Sequence, residues 1–391
     1  MILLNLVKKT ILLGIAQALP RLALIASAYI LTKNDYFIFN KYYYTASIII
    51  IWSGFGFDFG GNISRTRTKI VVYAIAVNSI LCSGMIWFWG NNETNPLTMF
   101  SILVYSFSAA ATGVLLYRLL FQEKINDYFT ITLIGMVMFI ITLVLFKLTG
   151  MWLFLFLFPG YSFMLTMYAY HKSNSTDSVL FTETSIPYLY ESGFLSFSIN
   201  GLVPLVFAFD KFIINRNFGI GIANSYIFAW GLTAPIFYIG NIVEKIIYSS
   251  SERGWRKVGL AGLIMTTVMI SIYVICLIII INLFPGILPQ SIDHGILKSV
   301  FIWMISGYSI YAVFHFPLNG LLFKYRNIGT QKRVALKYFI FAAITVIVFF
   351  CFKGFIIYDY FRLLSFTIII LYSLLLIKGF ETLFRRNERY D

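Results

Sequence analysis

The chain has 391 residues, of which 59% are hydrophobic, 19% aromatic and only 12% charged, with a mean hydropathy of +0.83. A soluble domain carries about 25% charged residues, so this composition excludes a soluble globular protein and places the chain in a membrane. The net charge of +14 does not point to nucleic acid, because the basic clusters are short and flank apolar runs.

A membrane-spanning helix needs about 20 mostly apolar residues. Runs of that kind lie at 11–31, 40–57, 70–89, 98–120, 129–148 and 152–170, and again at 192–214, 222–243, 258–283, 296–322, 335–352 and 358–377. They predict an all-α polytopic membrane protein of twelve transmembrane helices. The first run resembles a signal peptide, with Lys8-Lys9 before it and Ala26-Ser27-Ala28 at its end. Arg21 interrupts the apolar stretch directly after Pro20, so the expectation is a retained first span. The stretch HKSNSTDSVLFTET, from His171 to Thr184, is the most polar segment between spans. It divides the chain into an N-terminal six-helix lobe (1–171), a linker (172–186) and a C-terminal six-helix lobe (187–391).

Assigning alternate loops to opposite sides places most of the 30 Lys and Arg on the side of the N-terminus. The positive-inside rule then puts both termini in the cytoplasm. Spans 1 and 7 run the same way, so the halves would be parallel repeats about an axis along the membrane normal. A sequence echo agrees. Lys33-Asn34 followed by Tyr43 and Ala46 recurs as Arg216-Asn217 followed by Tyr226 and Ala229, a constant offset of 183 residues.

Several chemistries are absent from the sequence. Cys82, Cys276 and Cys351 stand far apart in apolar runs without a CxxC, which indicates neither a disulfide framework nor a metal site. There is no GxxxxGK[ST], and Gly219-Ile220-Gly221 has Asn224 where a dinucleotide loop needs its third glycine. No nucleotide and no cofactor is expected. HExxH and GxSxG are missing as well.

Candidate site residues are polar groups inside spans. Arg21 sits at the centre of its run, where a charge costs about 2.5–3.5 kcal/mol on insertion scales. Gly14, Gln17, Arg21 and Ala28 share one helical face. That face reads either as a cationic cavity wall or as an Arg bonded to carbonyls freed by Pro20. In span 7, Ser192, Ser196, Asn200 and Lys211 project to one side, with Asp210 a quarter-turn away and Pro204 bending the helix between them. Asp210-Lys211 reads equally as a charged gate or as a helix cap near the outer surface. Asp58 ends span 2 among glycines that allow close helix packing or local unwinding. Glu244-Lys245, and Arg118 with Glu123-Lys124, read as solvated or ion-paired groups near the inner surface. His315 and Asn319 stand one turn apart around Pro317, as a proton relay or as a packed, hydrogen-bonded pair. Most Phe and Tyr, including Tyr42-Tyr43-Tyr44, read as lipid-facing bulk and interfacial belt.

Residues 30–57 (ILTKNDYFIFNKYYYTASIIIIWSGFGF) and FDKFIINRNFGIGIANSYIFAWGL resemble the polysaccharide-exporter branch of the multidrug/oligosaccharidyl-lipid/polysaccharide exporter superfamily. The shared features are the turn after spans 1 and 7, the Y-x-x-A-like start of the next helix and the Asp-basic pair, here Asp210-Lys211. The chain is most similar to O-antigen unit flippases, and lacks the proline that many members place after span 8. The resemblance implies a V-shaped pair of six-helix lobes in the bacterial inner membrane, moving an undecaprenyl-diphosphate-linked oligosaccharide outward by alternating access. It makes membrane lipid a partner, with an O-antigen polymerase and a chain-length regulator as candidate protein partners. In that frame Arg21 and Gln17 would hold the diphosphate, Ser196 and Asn200 would bond sugar hydroxyls, and Asp210, Lys211, Asp58 and His315 are candidates for gating or ion coupling. The rival readings are a drug/cation antiporter of the same fold, and a membrane glycosyltransferase or polymerase acting on lipid-linked sugars. The antiporter would need an acidic cavity; the enzyme would need a sizeable outer loop.

Overall fold

The computed structural model describes residues 19–20, 22–57, 68–89, 95–122, 124–174, 186–198, 202–249, 255–324, 328–351, 371 and 374. Helix and short turns account for the described backbone, and no strand occurs among these residues. Seven helical stretches among them are long and apolar enough to cross a membrane. The protein is therefore an all-helical, multi-pass membrane protein. Residues 11–18 and 21 of the first span, and the closing span at 358–377 apart from 371 and 374, lie outside the described residues.

The chain falls into two compact units, Met1–Phe212 and Ile213–Asp391. Unit 1 begins with a helix at residues 22–30 (α1), followed by α2 (Lys33–Gly54), α3 (Thr68–Trp89), α4 (Pro96–Phe121), α5 (Ile125–Thr149) and α6 (Met151–Asn174). It closes with α7 (Ile186–Ser196) and the larger part of α8 (Leu202–Asn217). Helix α2 starts seven residues ahead of the apolar run because Thr32 caps it, its hydroxyl accepting from the Asp35 backbone N–H at 3.2 Å. Asp35 in the first turn adds a favourable interaction with the helix dipole.

In unit 1, α2 packs on α3 and α4, and α4 and α5 pack on α6. Pro159 lies inside α6 and cannot donate to the Leu155 carbonyl four residues back. The hydroxyl of Ser101 on α4 takes that carbonyl at 2.7 Å, and Tyr42 OH lies 2.9 Å from Ser101 Oγ. Tyr42 is 2% exposed and its ring stands edge-on to Phe154 and Phe158. The expectation of an interfacial belt at Tyr42-Tyr43-Tyr44 is corrected: Tyr42 and Tyr44 belong to the core, because the helix begins at Lys33 and carries them inward. Arg118, read as solvated or ion-paired, is buried. Beside it, Gln122 donates to the Ser173 carbonyl, Lys124 to the Lys172 carbonyl, and Lys172 pairs with Asp127 at 3.5 Å.

Unit 2 contains α9 (Ile220–Thr233), α10 (Pro235–Ser249), α11 (Trp255–Leu283), a 3-10 turn (Pro285–Ile287), α12 (His294–Lys324) and α13 (Ile328–Cys351). Here α9, α10 and α11 pack on α12, and α10 packs on α11. The neighbour pattern repeats that of α2, α3 and α4 in unit 1. The chain turns at Leu31-Thr32 and again at Phe218-Gly219, an offset of 187 residues. That exceeds the sequence offset of 183 by about one helical turn, which leaves the matched positions on the same helical face.

Span 8 is one membrane-crossing stretch, Ile220–Glu244, and span 7 contains two helices with residues 199–201 between them outside the described residues. Span 7 is α7, then a wider π-type turn at Phe197-Ser198, with α8 beginning at Leu202. Within span 8 the helix loosens between Thr233 and Pro235, where the proline has no N–H to continue the ladder while Ala234 keeps a helical backbone (φ −55°, ψ −33°). The Tyr273 hydroxyl donates to the Leu232 carbonyl at this joint, and the Ala234 N–H bonds the Trp230 carbonyl at 2.9 Å.

Candidate functional site

The site is built in unit 1 where the end of α2 meets α7. Helix α2 stops because Phe55 (φ 39°) and Gly56 (φ 66°) turn into the left-handed region. Gly56 is required twice over. Its φ disfavours any side chain, and a Cβ there would lie 2.5 Å from the Phe197 nitrogen and 2.6 Å from the Gly193 carbonyl oxygen. Gly193 on α7 is the reciprocal notch, since a Cβ there would lie 2.8 Å from the Phe55 carbonyl oxygen. The two glycines bring the backbones together and leave the flanking aromatic rings to close over the contact.

Those rings form a continuous wall. Phe55 stacks on Phe197 at 5.2 Å and 18°. Tyr190 stands 5.6 Å from Phe55 and 5.4 Å from Phe57, and Trp52 meets Phe197 edge-on at 5.8 Å. Tyr190, Phe194 and Phe197 follow at i, i+4 and i+7 along one face of the chain. Trp52, Phe55 and Tyr190 are half-buried and Phe194 is exposed, so the wall is accessible at its edge.

Polar groups adjoin the wall. On α3, Asn78, Ser79, Cys82 and Ser83 share the buried face with Ile75, while Tyr73, Val77, Ile80 and Leu81 face outward. The Tyr190 hydroxyl donates to Asn78 Oδ1 at 3.2 Å, and Ser79 Oγ lies 2.9 Å from Ser53 Oγ. Some Ser and Thr in helices return their hydroxyls to the carbonyl four residues back, as Thr45, Thr132 and Thr142 do. Ser196 and Ser198, like Ser108 and Ser309, do not. Their Oγ atoms, the Asn78 amide nitrogen and Ser83 Oγ are all buried without a hydrogen-bond partner. An unsatisfied buried dipole costs about 1–3 kcal/mol. Each of them calls for water or another polar partner.

The other sequence candidates divide by location. Arg21, Gln17, Asn200 and Asp58 lie outside the described residues. Asp210 and Lys211 form an ion pair at 2.7 Å, with Lys211 fully buried and Asp210 3% exposed. Helix α8 runs on to Asn217, so the pair sits mid-helix and the end-cap reading falls. His315 lies in unit 2, stacked on Tyr311 at 4.7 Å and edge-on to Phe316 at 5.0 Å, with Nδ1 buried and unbonded. One turn on, Asn319 donates to Glu244 Oε1 at 2.8 Å, so Glu244 is held by α12 rather than left to solvent. Gly320 lets the two helices approach there, its missing Cβ 3.0 Å from the Glu244 carbonyl oxygen. No group of three metal-ligating side chains occurs among the described residues.

Sequence reasoning named Ser196 as a candidate and did not name the wall of Trp52, Phe55, Tyr190, Phe194 and Phe197, or the Asn78 to Ser83 stripe. The stripe was available as polar residues at i, i+1, i+4 and i+5 in an otherwise apolar span. The wall had no signal, since aromatic residues that face lipid are written the same way. Compared with protein-family models, curated proteins and solved structures, the chain finds no match.

Proposed function

We propose that the chain is a flippase: it carries an undecaprenyl-diphosphate-linked oligosaccharide from the cytoplasmic to the periplasmic leaflet of the bacterial inner membrane. It works by alternating access of two six-helix lobes, without covalent chemistry, and draws on an ion gradient. The observation that carries the reading is the pair of unbonded, buried hydroxyls at Ser196 and Ser198 beside the Phe55–Phe197 wall. Sugars present C–H faces to aromatic rings and hydroxyls to polar side chains, and this cluster offers both. With the N-terminus inside, α2 ends and α7 begins on the cytoplasmic side, where a substrate made in the cytoplasm would load. The sequence features that support the same reading are the family resemblance and Arg21. An unpaired diphosphate within the dry membrane is costly, and Arg21 with Gln17 would meet it while the lipid tail stays in the bilayer. Asp210-Lys211 would act as a gate by exchanging its pairing as the lobes move.

Arg21→Ala at normal membrane expression should abolish surface display of the exported polysaccharide. Full display by that variant would overturn the assignment. The antiporter reading predicts instead that the protein lowers drug sensitivity in a pump-deficient strain.

A further inference from the structure

We infer that span 8 carries a hinge at residues 233–236, and that the Tyr273 hydroxyl of α11 is the latch that holds it. The inference concerns the mobility of unit 2 and stands whatever the protein carries.

The joint lies near the middle of the Ile220–Glu244 crossing, where no bulk water reaches backbone groups that leave the helical ladder. Pro235 has no N–H for the Gly231 carbonyl, and its ring pushes that carbonyl aside. Gly231 itself adds backbone freedom in the last turn of α9, and proline and glycine are the usual causes of a bend. Beyond the proline, the Phe237 N–H bonds the Ala234 carbonyl, three residues back, at 3.0 Å. Before it, the Thr233 hydroxyl turns back to the Trp230 carbonyl at 3.0 Å. The Leu232 carbonyl accepts from Tyr273, on another helix. One side-chain hydrogen bond thus ties the thinned stretch of the ladder to α11.

The two arms of the joint are fixed toward opposite ends of α12. On α9, Ser225 Oγ accepts from the Asp293 N–H at 2.9 Å and donates to the Asp293 carbonyl at 3.2 Å, just ahead of the first turn of α12. On α10, Glu244 accepts from Asn319 at 2.8 Å, and Gly240 lies so close to Phe316 that a Cβ would overlap its ring. Arms held at their far ends concentrate any bending in the stretch between them. The matching helix of unit 1, α2, runs from Lys33 to Gly54 without a proline or a break. The hinge therefore belongs to unit 2.

The test uses the full-length protein in nanodiscs, with hydrogen–deuterium exchange read on peptides from both units. Tyr273→Phe keeps the ring and deletes only the hydroxyl. Exchange in the segment 233–240 should rise about two- to tenfold, the value of one neutral hydrogen bond, while peptides from α12 and α2 stay unchanged. Thr267→Val deletes a hydroxyl from the same helix, one that returns to the Leu263 carbonyl at 2.8 Å, and should leave the segment at the wild-type rate. Adding Pro235→Ala to Tyr273→Phe restores the missing N–H, and exchange should fall back toward wild type. No rise with Tyr273→Phe, or an equal rise throughout unit 2, would overturn the inference. So would a double variant that exchanges as fast as Tyr273→Phe alone. None of these readouts involves transport, so failure of the flippase reading would leave the hinge standing.

Discussion

Gly56→Ala tests the packing that builds the site. The substitution adds one methyl at a residue with φ 66°, where its Cβ would stand 2.5 Å from the Phe197 nitrogen and 2.9 Å from Ser196 Cβ. Holding a non-glycine residue in the left-handed region costs about 1–2 kcal/mol. Forcing a methyl into a packed backbone contact costs about 1–3 kcal/mol more. Together these amount to about 2–5 kcal/mol, localised where α2 meets α7. The matched control is Gly54→Ala, two residues earlier, where a Cβ meets nothing within 4 Å and the backbone is helical. That change should be neutral or stabilising by up to about 1 kcal/mol, the helix-propensity difference between the residues. Thermal unfolding in nanodiscs, followed by near-ultraviolet circular dichroism of the stacked rings, gives the readout. Gly56→Ala should lower the midpoint and reduce the aromatic signal, and Gly54→Ala should change neither adversely. Equal midpoints for the two variants would refute the argument that the Gly56–Gly193 notch sets the site.

Further predictions follow from the buried polar groups. With Cys276 and Cys351 replaced by Ala, Cys82 should resist a small thiol reagent in the folded protein and react only on denaturation, because its thiol is buried; fast labelling of the folded protein would contradict the packing of that face of α3. Asp210→Asn should destabilise the protein by about 3–5 kcal/mol in denaturant titration, because it leaves Lys211 charged and buried. The double variant Asp210→Asn, Lys211→Met should recover most of that loss, and failure to recover would show that the pair is not the source. Asn319→Ala should cost about 1–3 kcal/mol through the lost bond to Glu244, a loss read in the same titration.

The helical, membrane-spanning character was legible because it is written in composition and run length, which need no tertiary information. Thr32 as a cap and the turn at Phe218-Gly219 could also be read locally. The loosened turn at Pro235 was not, because a proline is tolerated within a membrane helix whose freed backbone groups find other partners. Tyr42 illustrates the deeper difficulty. Its burial depends on the partner that Pro159 makes available, the Leu155 carbonyl reached through Ser101, and those residues lie far along the chain. The same applies to the site. Ser196 was named from helical spacing within one segment, while Gly56 beside it comes from the end of α2, and Asn78, bonded to Tyr190, comes from α3. In a membrane protein lipid-facing and core-facing aromatics share one alphabet, so only packing separates Phe197 from Phe88.

The most direct measurement is the leaflet distribution of lipid-linked oligosaccharide in a strain deleted for this gene. The account predicts that the completed saccharide accumulates on the cytoplasmic leaflet, that the wild-type gene clears it, and that the Arg21→Ala gene does not. Normal periplasmic delivery in the deletion strain, with no other exporter present, would contradict it.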